Sequence, residues 1–238
     1  MFRSRLLPAV ASAAAAVVLL SGCSVFDGLT SAQDPETTPS VSPSASETPY
    51  PSQFTRDGTF QSHYDVDGMD FVFTLYPTKS TPRTNEWYPK GSKYFSFTFQ
   101  VYDLDRELRD PFATKRLAYL DHITVESNTV TYDGGRVQHP YRLDAEAKRV
   151  TFDPQPVSTE YGMLITSPKG AFELRNQEIR PTSMDTKGID LIFTATVWVQ
   201  DAAGSDRFHQ EVVRQKVPIS IFRSDQPTAA QSIPVNAN

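Results

Sequence analysis

The side chains that could carry out chemistry in this 238-residue chain are few and widely separated. The four histidines, His63, His122, His139 and His209, form no pair at the spacing of a zinc or copper site on a helix or strand. No Gly-x-Ser-x-Gly or Ser-x-x-Lys motif supplies a nucleophilic serine, and a triad assembled from distant residues is recognised by geometry rather than by order. The sequence therefore indicates no catalytic centre.

Two acidic segments contain the carboxylates that calcium prefers. In the first, Gly68 is surrounded by Asp65, Asp67 and Asp70. The second follows a strong strand pattern and contains Asp103, Asp105, Glu107 and Asp110, but has Leu108 where an EF-hand needs a glycine. Because carboxylates beside turns usually cap the turn, we predict no cofactor and no metal. Asp65, Asp67 and Asp70 are the residues to inspect for calcium.

Several aromatic side chains are out of phase with the apolar side of their segments. Tyr94, Tyr102 and Trp198 fall on the polar face of alternating runs, and Trp87 and Tyr88 lie together in a proline-flanked loop. Outward aromatics anchor protein partners or stack on sugars. They also pair across strands or lie beneath a loop. The five residues form the candidate partner or ligand surface.

The single cysteine of the chain, Cys23, ends a three-part N-terminal segment. Met1 to Arg5 is basic, Leu6 to Leu20 is apolar apart from Pro8 and Ser12, and small residues follow, as in a secretory signal. The tetrad Leu20, Ser21, Gly22 and Cys23 resembles the lipobox of bacterial lipoproteins. The resemblance implies that residues 1–22 are a signal peptide and that the thiol of Cys23 receives a diacylglyceryl group.

This resemblance predicts a lipid-anchored protein on the extracytoplasmic side of the cell membrane. Two acyl chains such as palmitate anchor a protein stably where one does not. Lipidation also leaves the folded domain without a thiol for a disulfide. Removing Arg3 and Arg5 with the signal leaves 21 Lys+Arg against 28 Asp+Glu, a net charge of −7. That balance argues against nucleic acid and against broad electrostatic attachment to anionic lipid.

A linker rich in serine, threonine and proline follows the anchor. From Ser24 to Ser52, 16 of 29 residues are of these types and none is basic. Such a segment buries too little apolar surface to become ordered. It would span ~30 Å as a coil and approach ~90 Å if extended. The composition is similar to that of lipoprotein stalks in high-G+C Gram-positive bacteria, so we predict that residues 23–52 are a disordered spacer.

Residues 53–225 alternate between apolar and polar side chains over short runs, which indicates half-buried strands. The clearest runs are residues 71–76, 95–102, 191–200 and 213–221, the last pair joined by a polar turn. Pro218 favours an edge position for the last strand. Asp133, Gly134 and Gly135 predict a tight hairpin between residues 130–132 and 136–143.

One helix is predicted after Asp110, which can act as its N-cap. Pro111 suits the first helical position, and Leu117 and Leu120 then share a face. Many short strands with at most one or two short helices predict an all-β fold. We expect an antiparallel β-sandwich, with an immunoglobulin-like arrangement favoured, and a flexible tail at residues 226–238.

Three functions remain open at the level of the sequence. The favoured one is a non-catalytic binding or scaffold domain with a protein partner in the cell envelope, for example as an accessory subunit of a membrane complex. The second is a lipoprotein that binds a glycan, a lipid or a small molecule through its outward aromatics. The third and least favoured is a hydrolase.

Overall fold

The computed structural model describes residues 50–52, 58–78 and 87–223. The predicted signal peptide, Cys23, most of the predicted linker and the predicted tail lie outside the described residues. Within the described ranges, no helix has the length and apolar character that crossing a membrane requires.

Strands dominate the described part of the chain. A single 3-10 turn, Phe112–Thr114, and one short helix, α1 (Ala147–Val150), interrupt them. The ten strands are β1 (Phe60–Val66), β2 (Met69–Pro77), β3 (Lys93–Asp103), β4 (Ala118–Thr131), β5 (Leu143–Glu146), β6 (Ser158–Thr159), β7 (Gly162–Leu164), β8 (Phe172–Ile179), β9 (Thr186–Gln200) and β10 (Phe208–Ser220).

The strands form two sheets in which every strand pairing is antiparallel. One sheet has the order β1-β2-β3-β8, and the other has the order β10-β9-β4-β7-β6 with β5 beside β4. The predicted all-β antiparallel sandwich is therefore confirmed. An immunoglobulin-like strand arrangement remains a prediction.

Phenylalanine rings fill the space between the sheets. The alternating residues of β2 and β3 turn one face inward, so that Phe73 and Phe97 have no exposed surface. Phe193 of β9 approaches them from the opposite sheet, with ring centroids 6.0 Å from Phe73 and 4.9 Å from Phe97. Fully burying such a side chain contributes about 1.5–3 kcal/mol, and this core holds the sheets together without a disulfide among the described residues.

The β9–β10 hairpin agrees with its prediction. The strands pair from Gly188 and Ser220 to Gln200 and Phe208, and a polar turn joins them. β10 lies at the edge of its sheet, where Pro218 can lack an N–H without leaving a ladder acceptor unsatisfied.

The predicted helix after Asp110 is wrong. Asp110 is not the N-cap, since Pro111 takes that position in the 3-10 turn and no side chain caps it. The Asp110 carboxylate instead accepts the N–H of the preceding Glu107 at 3.0 Å, and helical geometry ends at Thr114. Ala118 and Leu120 belong to β4 and are fully buried. Pairing with β9 along thirteen of the fourteen residues of β4 outweighs the local helix signal.

The tight hairpin predicted at Asp133 to Gly135 is also wrong in its extent. β4 ends at Thr131, and its returning partner is β5, which pairs with residues 122–125. Residues 136–142 form no strand. The Ser127 hydroxyl instead donates to the Tyr141 carbonyl at 2.6 Å and accepts the Tyr141 N–H at 2.8 Å, and Pro140 has no N–H for a ladder.

The sandwich has two ends, which we call the near end and the far end. At the near end the ring of Tyr50 lies on Gly188, where an added Cβ would be 2.3 Å from the ring. The Tyr50 hydroxyl donates to Asp190 at 2.6 Å, and Ser220 donates to the Tyr50 carbonyl. Tyr50, which the composition assigns to the linker, therefore packs against the domain.

The far end lies at the opposite limit of the long strands. From Gly188 to Gln200, β9 extends about 40 Å at about 3.3 Å per residue. The β1–β2 turn, the loop 104–117 and the turn 201–207 meet there. Leu117 joins them to β9, since its N–H donates to the Gln200 side chain at 3.1 Å and its carbonyl accepts the Gln200 N–H at 2.8 Å.

Candidate binding surface at the far end

A cleft of about 370 Å³ opens on the outer face of the four-stranded sheet at the far end. The sheet supplies its floor, and the loop 104–117 supplies its wall. The lining residues with most bearing on binding are His63, Asp70, Val72, Tyr102, Leu104 and Leu108. We call this feature the far-end cleft.

Strand register places the floor residues side by side. His63 lies opposite Val72, and Asp70 lies opposite Tyr102, so all four share one face because side chains alternate along a strand. The His63 Nδ1 and Asp70 Oδ2 atoms are 2.8 Å apart. The floor thus combines an apolar residue, an aromatic ring and a polar pair.

A buried ion pair fixes the loop to the sheet. Asp103 accepts hydrogen bonds from the Arg116 backbone N–H at 2.7 Å and from its guanidinium at 3.0 Å. The same guanidinium donates to the carbonyls of Asp67 at 2.9 Å and Gly68 at 3.0 Å in the β1–β2 turn. Arg116 therefore connects both ends of its loop to the neighbouring turn.

The ion pair also sets the charge of Asp103. Burial by itself raises the pKa of this carboxyl, but the hydrogen bonds and the positive charge of Arg116 outweigh burial and hold the pKa below its usual value. Asp103 is therefore a permanently ionised structural group at neutral pH.

The loop presents two leucines to solvent. Leu104 is 53% exposed and Leu108 is 58% exposed, while Arg106 lies between them along the chain. The buried Lys115 ammonium donates to the Glu107 carbonyl and so holds this segment in place. Exposed apolar side chains beside charged ones are the composition of a protein interface with a polar rim.

An aromatic cluster occupies the outer face of the six-stranded sheet, also at the far end. Tyr161 stacks on Phe208 with ring centroids 4.4 Å apart, and it lies 5.4 Å from Trp198. Tyr119 contacts Phe208 edge-on at 5.9 Å. Tyr161, Trp198 and Phe208 are half-buried. Trp198 is thus on the predicted polar face, but its ring also lies against Tyr161 from the turn between β6 and β7.

The predicted aromatic surface does not form one patch. Trp87 is 1% exposed and belongs to the core, so its assignment to a binding surface is wrong. Tyr88 packs its ring against Gly91, and Tyr94 is half-buried near the other end of β3. Tyr102 lies in the far-end cleft. Trp87 packs into the core at the near end, where its carbonyl accepts the Phe222 N–H at 2.8 Å.

The calcium candidates are engaged by other groups. Asp65 accepts the Gly68 N–H at 3.1 Å, which stabilises the β1–β2 turn, and Asp67 lies in that turn with a φ of 50°. Asp70 faces His63 across the strands. Across residues 50–52, 58–78 and 87–223, no three or more His, Cys, Asp or Glu side chains come together in a group that could hold a metal ion.

Histidine–aspartate pairs occur at three places on the surface. Besides His63 with Asp70, His122 lies 2.7 Å from Asp144, and His209 lies 2.7 Å from Asp201. A hydrolytic triad needs a hydroxyl bonded to the other side of the imidazole. No described hydroxyl is hydrogen bonded to any of these rings, so the described part of the chain contains no assembled triad.

Sequence reasoning missed most of the far-end surface. Leu104 and Leu108 resemble ordinary loop residues, and only their four-residue spacing within a charged segment marks them. Phe208 is the first residue of β10. The alternation of apolar and polar residues along that strand does not predict that Tyr161, from a separate loop, stacks on its ring. Arg116 is indistinguishable in sequence from Arg106 and Arg109.

No protein-family model and no curated protein matches this chain. Matching solved structures include copper-bound forms of P19 from Campylobacter jejuni. One copper-bound variant is 8% identical over 69% of this chain and 99% of its own, with a TM-score of 0.27. The copper-reconstituted protein at pH 10.0 is 10% identical over 71% and 99%, also with a TM-score of 0.27. At these TM-scores, neither the fold nor a copper site is inferred from the likeness.

Proposed function

We propose that this protein is a lipoprotein anchored on the extracytoplasmic side of the cell membrane, and that its sandwich binds a protein partner of the envelope through the far-end cleft. The domain acts as a binding or scaffold module rather than as an enzyme. The observation that carries the proposal is the pair of exposed leucines, Leu104 and Leu108, on a loop that Arg116 holds in place.

The anchor rests on the lipobox-like tetrad that ends at Cys23 and on the absence of any other cysteine from the chain. The path of the chain supports the orientation. Residues that precede Tyr50 must join the domain at the near end, where Tyr50 packs on Gly188. The far-end cleft lies about 40 Å further along β9, at the end from which a partner in the envelope can approach.

The chemistry of the far-end cleft suits a protein partner. Leu104 and Leu108 supply exposed apolar surface, and Tyr102 is the kind of ring that anchors interfaces. Arg106 and the His63–Asp70 pair supply a polar border. A partner with an apolar side chain and a polar margin would complete this surface, as expected for an accessory subunit of a membrane complex.

A crosslinked pull-down from intact membranes tests the proposal. The wild-type protein should recover a reproducible partner, and Leu108→Glu should reduce its recovery at least tenfold, because a hot-spot residue contributes about 2 kcal/mol or more. Val212→Glu is the matched control, since Val212 is equally exposed but lies on the edge strand β10. Equal recovery with both variants, or no reproducible partner with wild type, would count against the proposal.

The second candidate is a glycan-binding or small-molecule-binding lipoprotein. The half-buried stack of Tyr161 and Phe208 beside Trp198 favours it, because aromatic faces pack well on sugar rings. In this case Trp198 fluorescence should change on titration with envelope glycans, and Phe208→Ala should abolish the change while Leu108→Glu leaves it intact. A titration without any change would remove this candidate.

A further inference from the structure

The near end combines exposed apolar side chains with basic ones. Val137, Met184 and Phe222 are all exposed there. Backbone hydrogen bonds bring their segments together: Ile221 donates to the Lys187 carbonyl at 3.0 Å, and Tyr132 donates to the Asp185 carbonyl at 2.9 Å. We call these residues and the charged groups around them the near-end surface.

The charge of this surface differs in sign from that of the chain. Lysine and arginine outnumber acids on it, the basic residues being Lys90, Arg136, Lys187 and Arg223 and the acidic residues Asp133 and Asp185. Asp190, at the same end, is paired with Lys216 at 2.8 Å, so these two add no net charge. The balance is two positive charges, whereas the whole chain has a formal charge of −5. Lys187 and Arg223 both lie 5.7 Å from the centre of the Tyr132 ring, so two of the cations share one aromatic support.

We infer that the near-end surface rests on the anionic headgroups of the membrane to which the protein is tethered. The inference depends on the proposed lipid anchor, and it adds a second contact with the same membrane. Apolar side chains that enter the headgroup region together with cations that meet lipid phosphates are the combination found in interfacial membrane binding. This local excess of positive charge is not apparent from the net negative charge of the whole chain.

The tether makes a weak contact sufficient. Each lysine or arginine close to an anionic membrane strengthens binding only about fivefold, and Asp133 and Asp185 offset part of that gain. A chain that begins at an anchored Cys23 and reaches the domain at Tyr50 keeps the near end within the length of the linker from the bilayer, which supplies a high effective concentration. Contact by the near end also turns the far-end cleft away from the membrane.

Lipidated full-length protein in vesicles allows a direct test. Because Cys23 is consumed by the anchor, Met184→Cys or Leu108→Cys provides a single free thiol for an environment-sensitive fluorophore. The vesicles contain phosphatidylcholine with or without phosphatidylglycerol, together with a lipid that carries a quencher in its headgroup region. We expect quenching at position 184 in phosphatidylglycerol vesicles, loss of that quenching at high salt, and none at position 108.

Charge removal provides the matched control. Lys187→Gln with Arg223→Gln should lower the quenching at position 184 at least fivefold, whereas Arg106→Gln with Arg109→Gln removes the same charge at the far end and should leave it unchanged. The inference is overturned if quenching is equal at positions 184 and 108. It is also overturned if quenching at position 184 is unchanged both by high salt and by Lys187→Gln with Arg223→Gln.

The anchor is measured separately. Intact mass and flotation with vesicles show whether Cys23 is acylated. Protein that floats with acylated Cys23 but shows no quenching at position 184 overturns the near-end contact alone. Protein without acylation on Cys23 overturns the proposed anchoring, and the contact that depends on it falls as well.

Discussion

Asp103 is the residue on which the shape of the far-end cleft depends most. Its buried carboxylate holds Arg116, and Arg116 holds the β1–β2 turn. Because its pKa is depressed in the folded state, its contribution to stability is present above the ordinary value of 3.8 and is lost as the pH falls below that value.

Asp103→Asn should therefore lower the free energy of unfolding by about 2 kcal/mol at neutral pH, because a charge-assisted hydrogen bond is lost from a buried site. The variant should also lose less stability than wild type as the pH falls below 3.8, because it has no carboxyl to protonate at this position. Urea titrations across this range provide the measurement. Asp105→Asn is the control, since Asp105 also reaches Arg116, at 3.1 Å, but is 75% exposed and should change stability by less than about 0.5 kcal/mol. Equal effects of the two variants would refute the role assigned to Asp103.

Lys93 is a buried cation of a different kind. Its ammonium donates to three carbonyls, those of Tyr88, Pro89 and Gly91, and no carboxylate is paired with it among the described residues. Burial lowers the pKa of Lys93 to about 8 from the ordinary 10.5. Between these values the unfolded chain binds more protons than the folded one, so the stability contribution of Lys93 rises with pH.

Raising the pH from 8 to 10 should therefore increase the free energy of unfolding of wild type by about 2 kcal/mol relative to that of Lys93→Met. Chemical denaturation at both pH values measures it. Lys216→Met is the control, because the Lys216 side chain is 58% exposed and is not desolvated as Lys93 is. A Lys93→Met difference that does not vary with pH would contradict the lowered pKa.

At the scale of elements, strands with long alternation were predictable and the others were not. β2, β3 and β9 each place apolar residues on one face for seven residues or more. β10 does the same from Val213 to Ile219 apart from Gln215. The start of β4 was hidden by a helix signal at Asp110 and Pro111 that is satisfied by one turn. β7 has three residues, too few for any period to be visible.

The linker boundary is an element-scale feature that a substitution can test. Tyr50→Ala should lower the free energy of unfolding by about 3 kcal/mol, as expected for a large side chain removed from a packed site, whereas Tyr50→Phe should cost about 1 kcal/mol for the lost bond to Asp190. Thermal or urea unfolding of the two variants gives the answer. A Tyr50→Ala protein as stable as wild type would place Tyr50 in the linker, as the composition alone suggested.

At the scale of the whole domain, the candidate site depends on relations that no single segment encodes. Tyr102 was predicted because it is an aromatic residue on the polar face of its strand. Trp87 was misassigned because a loop has no regular alternation from which the direction of a side chain could be predicted. Leu104 and Leu108 become a surface only when Arg116 fixes their loop against a turn almost fifty residues earlier in the chain. The sequence could predict outward side chains, but not which of them lie at one end.

In the proposed arrangement, the far end of the domain meets an envelope partner while the near end faces the membrane. Site-specific photocrosslinking in intact cells tests it most directly, with a photoreactive residue replacing Leu108 at the far end, Met184 at the near end or Val212 on the edge strand. We expect a discrete protein adduct from position 108, no such adduct from position 212, and lipid adducts from position 184. A protein adduct from position 184 or 212 with none from position 108 would contradict the account.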